Sequence, residues 1–133
     1  MVSKRWTKSK STVYNINYHI IWCVKYRKKL LVGNLELRLK ELLLQKAKDI
    51  DVTIKKMETD KDHIHMFISA SPTSGIHWIV QQFKGVTSRI LRQEFSDART
   101  KVPSLWTRSY YVETIGHISE DIILKYIEDQ KNI

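Results

Sequence analysis

The sequence predicts an α+β fold: a ferredoxin-like (RRM-like) βαββαβ sandwich with an extra C-terminal helix. Three observations predict it. Aromatic and branched residues concentrate in four short runs. Apolar residues recur at helical spacing in two longer runs. The runs follow one another as strand, helix, strand, strand, helix, strand, before a last helical stretch. The chain of 133 residues fits one domain with room for one core, spanning 1–133, with residues 1–12 as a basic tail.

Each element has its own signature. "YNINYHIIWCVKY" (Tyr14 to Tyr26) is rich in the aromatic and branched residues that suit a strand. Read as one long strand, it has an exposed edge that invites a cover or a partner. "LELRLKELLLQKAKDI" places Leu35, Leu39, Leu42 and Leu43 on one helical stripe. "VTIKKMET" and "HIHMFISA" read as the second and third strands, and "SPTSG" breaks the chain after them. The second helix carries Ile76, Ile79, Val80, Phe83, Ile90 and Leu91 at helical spacing, and "SYYVETIG" is the fourth strand. Ser119 suits the cap of a last helix, "EDIILKYIEDQ", whose Glu120 and Asp121 favour its positive N-terminal end.

Charge narrows the function. Lys and Arg number 23 against 14 Asp and Glu, a formal +9, which favours a polyanionic partner, nucleic acid or an anionic membrane. The single Cys23 excludes an internal disulfide and a cysteine-based zinc cluster. No apolar run reaches membrane-spanning length, and no apolar signal core follows "MVSKRWTKSK". The expectation is a soluble intracellular, cytoplasmic protein.

"DHIHMFIS" (Asp62 to Ser69) is the most informative stretch. Side chains alternate across a strand, so His63, His65, Phe67 and Ser69 share one face, while Ile64, Met66, Ile68 and Ala70 share the other and pack on the helices. Two imidazoles about 7 Å apart along one strand face can converge on one metal ion. Two histidines hydrogen-bonded on a half-open sheet face would give the same pattern. In the last helix Tyr126 and Gln130, four apart, share a face. The two crossover helices already fill one side of the sheet, so this helix is expected on the histidine side. A tyrosine, an amide oxygen and two imidazoles can then meet around one ion.

Four blocks of the chain together resemble the HUH-superfamily single-tyrosine transposases (TnpA type) of very small bacterial and archaeal insertion sequences. "DHIHMFISASP" is similar to their His-hydrophobic-His strand, and "NYHIIWCVKYRKKLL" to their opening strand with its basic exit. "IVQQFKGVTSRILRQEF" resembles their Lys-Gly-containing helix, and "LWTRSYYVETIGHISEDIILKYIEDQ" their last strand and the helix that carries the nucleophile. The resemblance runs from Tyr14 to Gln130; His117 is not counted as a ligand. It implies a divalent ion, Mg²⁺ or Mn²⁺, held by His63, His65 and Gln130. It implies Tyr126 as the nucleophile that cuts single-stranded DNA and stays attached to a 5′ phosphate. It also implies recognition of imperfect hairpins at element ends, and a homodimer whose active sites combine the histidines of one subunit with the tyrosine helix of the other.

The chemistry is consistent with these roles. A cation beside a non-bridging phosphate oxygen offsets the repulsion that an attacking oxygen meets. Tyrosine is a weak nucleophile at neutral pH until a cation or base assists it. The phosphotyrosine link conserves the bond energy, so rejoining needs no ATP, and the chain has no P-loop pattern. Lys25, Arg27, Lys28 and Lys29 of "KYRKK", with Lys84, Arg89 and Arg92, are the candidate phosphate contacts. Gly85 would permit a close approach to the helix, and Trp6, Trp106, Tyr110 and Tyr111 offer rings for unpaired bases. Two other readings keep the fold: a non-catalytic RRM-like binder of single-stranded nucleic acid, and a domesticated relative that nicks hairpin DNA without moving an element.

Overall fold

The computed structural model describes residues 7–8 and 13–116. The helix expected over 119–130, with Tyr126 and Gln130, lies outside the described residues. Strands β3 (Asn17–Cys23), β4 (Thr53–Thr59), β5 (His63–Ser69) and β6 (Tyr111–Ile115) form one antiparallel sheet in the order β4-β5-β3-β6. Helix α1 (Gly33–Asp49) connects β3 to β4, and α2 (Ile76–Glu94) connects β5 to β6. Each helix therefore crosses over one intervening strand. This interleaving of two split βαβ units is the ferredoxin-like topology that the order of runs predicts.

The helices settle on the face of the sheet that the alternation makes apolar. Ile20, Trp22, Ile64, Met66 and Ile68 are buried with Leu35, Leu39 and Leu43 of α1 and with Ile79, Val80, Phe83 and Leu91 of α2. Burying each such side chain contributes about 1.5–3 kcal/mol. The charges at the ends of α1 fit its dipole, with Glu36 in the first turn and Lys46 and Lys48 in the last. The hydroxyl of Thr59 in β4 donates to Glu36, tying the helix start to the sheet.

Several boundaries differ from the sequence expectation. The first strand is not continuous from Tyr14 to Tyr26. Val13–Tyr14 (β2) pairs instead with Thr7–Lys8 (β1), inside the basic segment read as a tail, and the sheet strand begins only at Asn17. It stops at Cys23 because Tyr26 and Arg27 take left-handed backbone angles, with φ of 59° and 53°, which no strand accommodates. Nor is its edge exposed: β3 lies between β5 and β6. Strand β4 carries a bulge between Ile54 and Lys56. A short helix, α3 (Ser96–Thr100), follows α2. Arg92 holds it by donating to the carbonyls of Ala98 at 2.9 Å and Val102 at 3.0 Å.

The return from α3 to β6 is anchored from both sides. The amide of Thr107 donates to Cys23 O at 3.0 Å, and Val24 pairs with Trp106 in an isolated bridge. Trp106 is buried against Trp22, and its indole N–H donates to Thr87 Oγ1 at 2.9 Å. The Lys84 ammonium donates to the carbonyls of Thr107, Arg108 and Ser109 at 2.6, 3.3 and 3.3 Å. Among the described residues, no helix is long and apolar enough to cross a membrane.

Candidate active site

The register of three strands builds the site. Cys23 pairs with His63, Ile21 with His65 and His19 with Phe67, so these side chains share the face opposite the two helices. From the outer strand, Glu58 pairs with His65. Asp60 stands opposite His63, its amide donating to His63 O at 2.9 Å to close the hairpin. From β6, Tyr111 pairs with Ile21 and Glu113 with His19. The centre of this face is buried: His19 is 0% exposed, Phe67 1% and His65 3%.

The two predicted histidines converge. Their Nε2 atoms are 3.1 Å apart. Asp60 Oδ2 lies 3.3 Å from His63 Nε2, and one ligand atom from each of Asp60, His63 and His65 falls within 4.8 Å of the others. Bonds of about 2.0–2.1 Å to a divalent ion, at a right angle, separate two ligand nitrogens by about 2.8–3.0 Å. The observed spacing therefore fits two cis ligands on one ion. Imidazole nitrogens with a carboxylate suit a transition ion such as Mn²⁺ better than they suit Mg²⁺, which prefers oxygen throughout.

The outer end of the site is braced by charge. His63 Nδ1 is 2.6 Å from Asp62 Oδ1, and Arg27 Nε donates to Asp62 Oδ2 at 3.0 Å. Burial pushes the Asp62 carboxyl up, but the hydrogen bonds from His63 and Arg27 outweigh it and hold it below the usual range. Asp62 therefore stays ionised beside His63 and orients that ring. At the inner end, His19 Nε2 lies 3.4 Å from His65 Nδ1, and His19 Nδ1 lies 3.4 Å from Glu113 Oε1. Burial lowers the His19 pKa more than Glu113 raises it. The Tyr111 hydroxyl donates to Glu113 Oε2 at 2.8 Å, and this bond, with the Glu113 charge, raises the phenol pKa.

The candidate phosphate contacts divide into two groups. Lys28, Lys29 and Arg89 are exposed, and Lys25 is half-buried with its ammonium 5.5 Å from the Tyr26 ring. Arg27, exposed, is paired with Asp62. Lys84 and Arg92 point elsewhere: Lys84 is 8% exposed, and both side chains are committed to backbone carbonyls. A Cβ at Gly85 would meet open space, so none of the described residues packs closely against it. Of the candidate stacking rings, Trp106 is buried, and Tyr110 packs on the core with its hydroxyl 2.8 Å from His77 Nδ1. Tyr111 remains 52% exposed, and Trp78, which the sequence reading missed, is exposed at the start of α2.

Asp60 and His19 were also missed. A two-residue turn at Lys61–Asp62 places Asp60 opposite His63, so the hairpin spacing carried a signal for Asp60. His19 had none beyond its place in a strand, because only the β3–β5 register brings it beside His65.

Residues 12–130 match the family described as "Transposase IS200 like". The chain belongs to this family. It is 35% identical over 125 residues to the ISDra2 transposase TnpA of Deinococcus radiodurans, covering 92% of this chain and 89% of that protein. It is 30% identical over 125 residues to the transposase for insertion sequence element IS200 of Salmonella typhimurium, covering 90% and 82%. A crystal structure of a Deinococcus radiodurans transposase superposes with a TM-score of 0.74 at 31% identity, over 93% of this chain and 97% of that one. A REP-associated tyrosine transposase bound to a REP hairpin shares the fold, with a TM-score of 0.63 at 11% identity, over 95% and 73%.

Proposed function

We propose that this IS200-like transposase cleaves and rejoins single-stranded DNA at insertion-sequence ends through a 5′-phosphotyrosine intermediate. The observation that carries the reading is the 3.1 Å approach of the His63 and His65 Nε2 atoms, with the Asp60 carboxylate beside them. Two ring nitrogens this close, next to an acid, are arranged for a cation. His63, His65 and Asp60 would hold the divalent ion, Mn²⁺ or Mg²⁺, and Gln130 would complete the set. The ion would supply a positive charge that offsets the negative charge of the scissile phosphate.

Tyr126 is the nucleophile. Its phenol loses a proton and its oxygen bonds to phosphorus, while the bond to the 3′ oxygen breaks. The products are a tyrosine-linked 5′ phosphate and a free 3′-OH. Rejoining is the reverse, with a 3′-OH attacking phosphorus and the phenol leaving with its proton restored. Asp62 keeps the His63 ring in place throughout, and Arg27 keeps Asp62 in place.

The partners are single-stranded DNA with imperfect hairpins at the element ends, and a second copy of the chain that shares the sites. The hairpin-bound structure of a transposase with this fold supports the first. Lys25, Lys28, Lys29 and Arg89 are the phosphate contacts in this reading, which the exposure of Lys28, Lys29 and Arg89 supports. The test is to incubate the chain with single-stranded DNA from its own flanks and Mn²⁺, and to look for a covalent adduct on a denaturing gel. Hairpin binding with no adduct would return the chain to the binding-module reading.

A further inference from the structure

We propose that His19 is a positioning residue of this site, which together with Glu113 sets the tautomer of His65. The inference rests on the metal reading of His63 and His65, and it concerns a residue to which that reading gives no role.

A neutral imidazole has one nitrogen that donates and one that accepts. Glu113 is a carboxylate and can only accept, so the His19 nitrogen facing it, Nδ1, carries the proton. His19 Nε2 is then the acceptor, and it faces His65 Nδ1. His65 Nδ1 must therefore carry the proton of that ring, which leaves Nε2 as a lone pair. That Nε2 is the atom directed at His63 Nε2, 3.1 Å away. At the other end carboxylates face both nitrogens of His63, Asp62 at Nδ1 (2.6 Å) and Asp60 at Nε2 (3.3 Å). Glu113, relayed through His19, thus turns the His65 Nε2 lone pair toward the point where His63 and Asp60 gather. The stacking of His19 between Phe67 and His65, at centroid distances of 4.7 and 5.6 Å with nearly parallel planes, holds the relay in register.

Two variants separate this role from simple filling of the sheet face. His19→Phe keeps an aromatic ring between Phe67 and His65 but removes both relay nitrogens. Glu113→Gln, on a half-buried strand position, substitutes an amide that can donate to His19 and let the chain of bonds run in reverse. Long-range proton–nitrogen correlation spectra of the metal-free full chain report the tautomer of each histidine directly. The expected result is His65 as the Nδ1–H form in the wild type and a gain of the Nε2–H form in both variants. Mn²⁺ affinity, measured by titration calorimetry, should fall by about 10–100-fold, the usual loss when a ligand's outer hydrogen bond is removed. If His19→Phe fails to fold, Glu113→Gln decides alone. Wild-type His65 in the Nε2–H form, or unchanged Mn²⁺ affinity in the folded variants when His63→Ala abolishes binding, would overturn the proposal and leave the metal reading intact. A wild-type chain that binds no Mn²⁺ would overturn the metal reading and this proposal with it.

Discussion

His63 and His65 differ in how deeply the fold holds them. His63 sits at the rim, paired with Asp62, whereas His65 is 3% exposed and faces His19. His63→Ala should therefore change stability by less than about 1 kcal/mol, and His65→Ala should cost about 1–3 kcal/mol through the buried polar neighbour it leaves behind. Both should lose Mn²⁺ binding, and thermal melts run beside calorimetry check the pair. Lys84 belongs to the same scale. Lys84→Met strands the carbonyls of Thr107, Arg108 and Ser109 and should cost about 1–3 kcal/mol, without changing how DNA binding depends on salt. An exposed lysine that meets a phosphate, such as Lys28 or Lys29, should instead lower the salt slope by about 0.7 per contact on single-stranded DNA. Burial lowers the Lys84 pKa. The unfolded chain then holds the proton to higher pH than the folded one, so wild-type stability should rise relative to Lys84→Met as pH climbs toward the ordinary lysine range. The histidine pair was legible in the sequence because two residues on one strand need only strand alternation to share a face. His19 and the inward turn of Lys84 were not, because each depends on a neighbour brought in by tertiary pairing, whereas Asp60 had only the local hairpin spacing to announce it.

The elements themselves were legible where one face is buried. The leucine stripe of α1, the apolar stripe of α2 and the Ile64, Met66, Ile68 face of β5 all read correctly, since burial demands the periodicity that the sequence displays. The first strand read too long because aromatic and branched residues continue past Cys23, while the chain turns there through left-handed Tyr26 and Arg27. No residue pattern announced that turn, which the pairing of Val24 with Trp106 and the Arg27–Asp62 ion pair accompany. Helix α3 was also unread, being a single short turn whose position depends on Arg92. Arg92→Met should cost about 1–3 kcal/mol by leaving the Ala98 and Val102 carbonyls without their donor. Hydrogen exchange should quicken across 96–102 before it does in the sheet. Equal protection in the variant would show that α3 is held by packing alone.

At the scale of the whole molecule, the histidines belong to the sheet, while Tyr126 and Gln130 lie in the sequence beyond the last described strand. If two subunits exchange their tyrosine segments, a mixture of Tyr126→Phe with His65→Ala should regain cleavage. Each heterodimer then has one site with intact histidines and an intact tyrosine. Random 1:1 mixing of equally stable subunits should restore roughly a quarter of wild-type sites under two-fold symmetry. Tyr126→Phe mixed with Gln130→Ala should restore none, and no recovery in the first mixture, with heterodimers present, would leave each site within one subunit. The claim on which all of this depends is that Tyr126 attacks a phosphate beside His63 and His65. The most direct measurement maps the covalent adduct formed with flanking single-stranded DNA and Mn²⁺, by digestion and mass spectrometry. One adduct is expected, on Tyr126, lost in Tyr126→Phe while hairpin binding persists and lost again in His63→Ala. An adduct on Tyr110, Tyr111 or any other residue in Tyr126→Phe would contradict it.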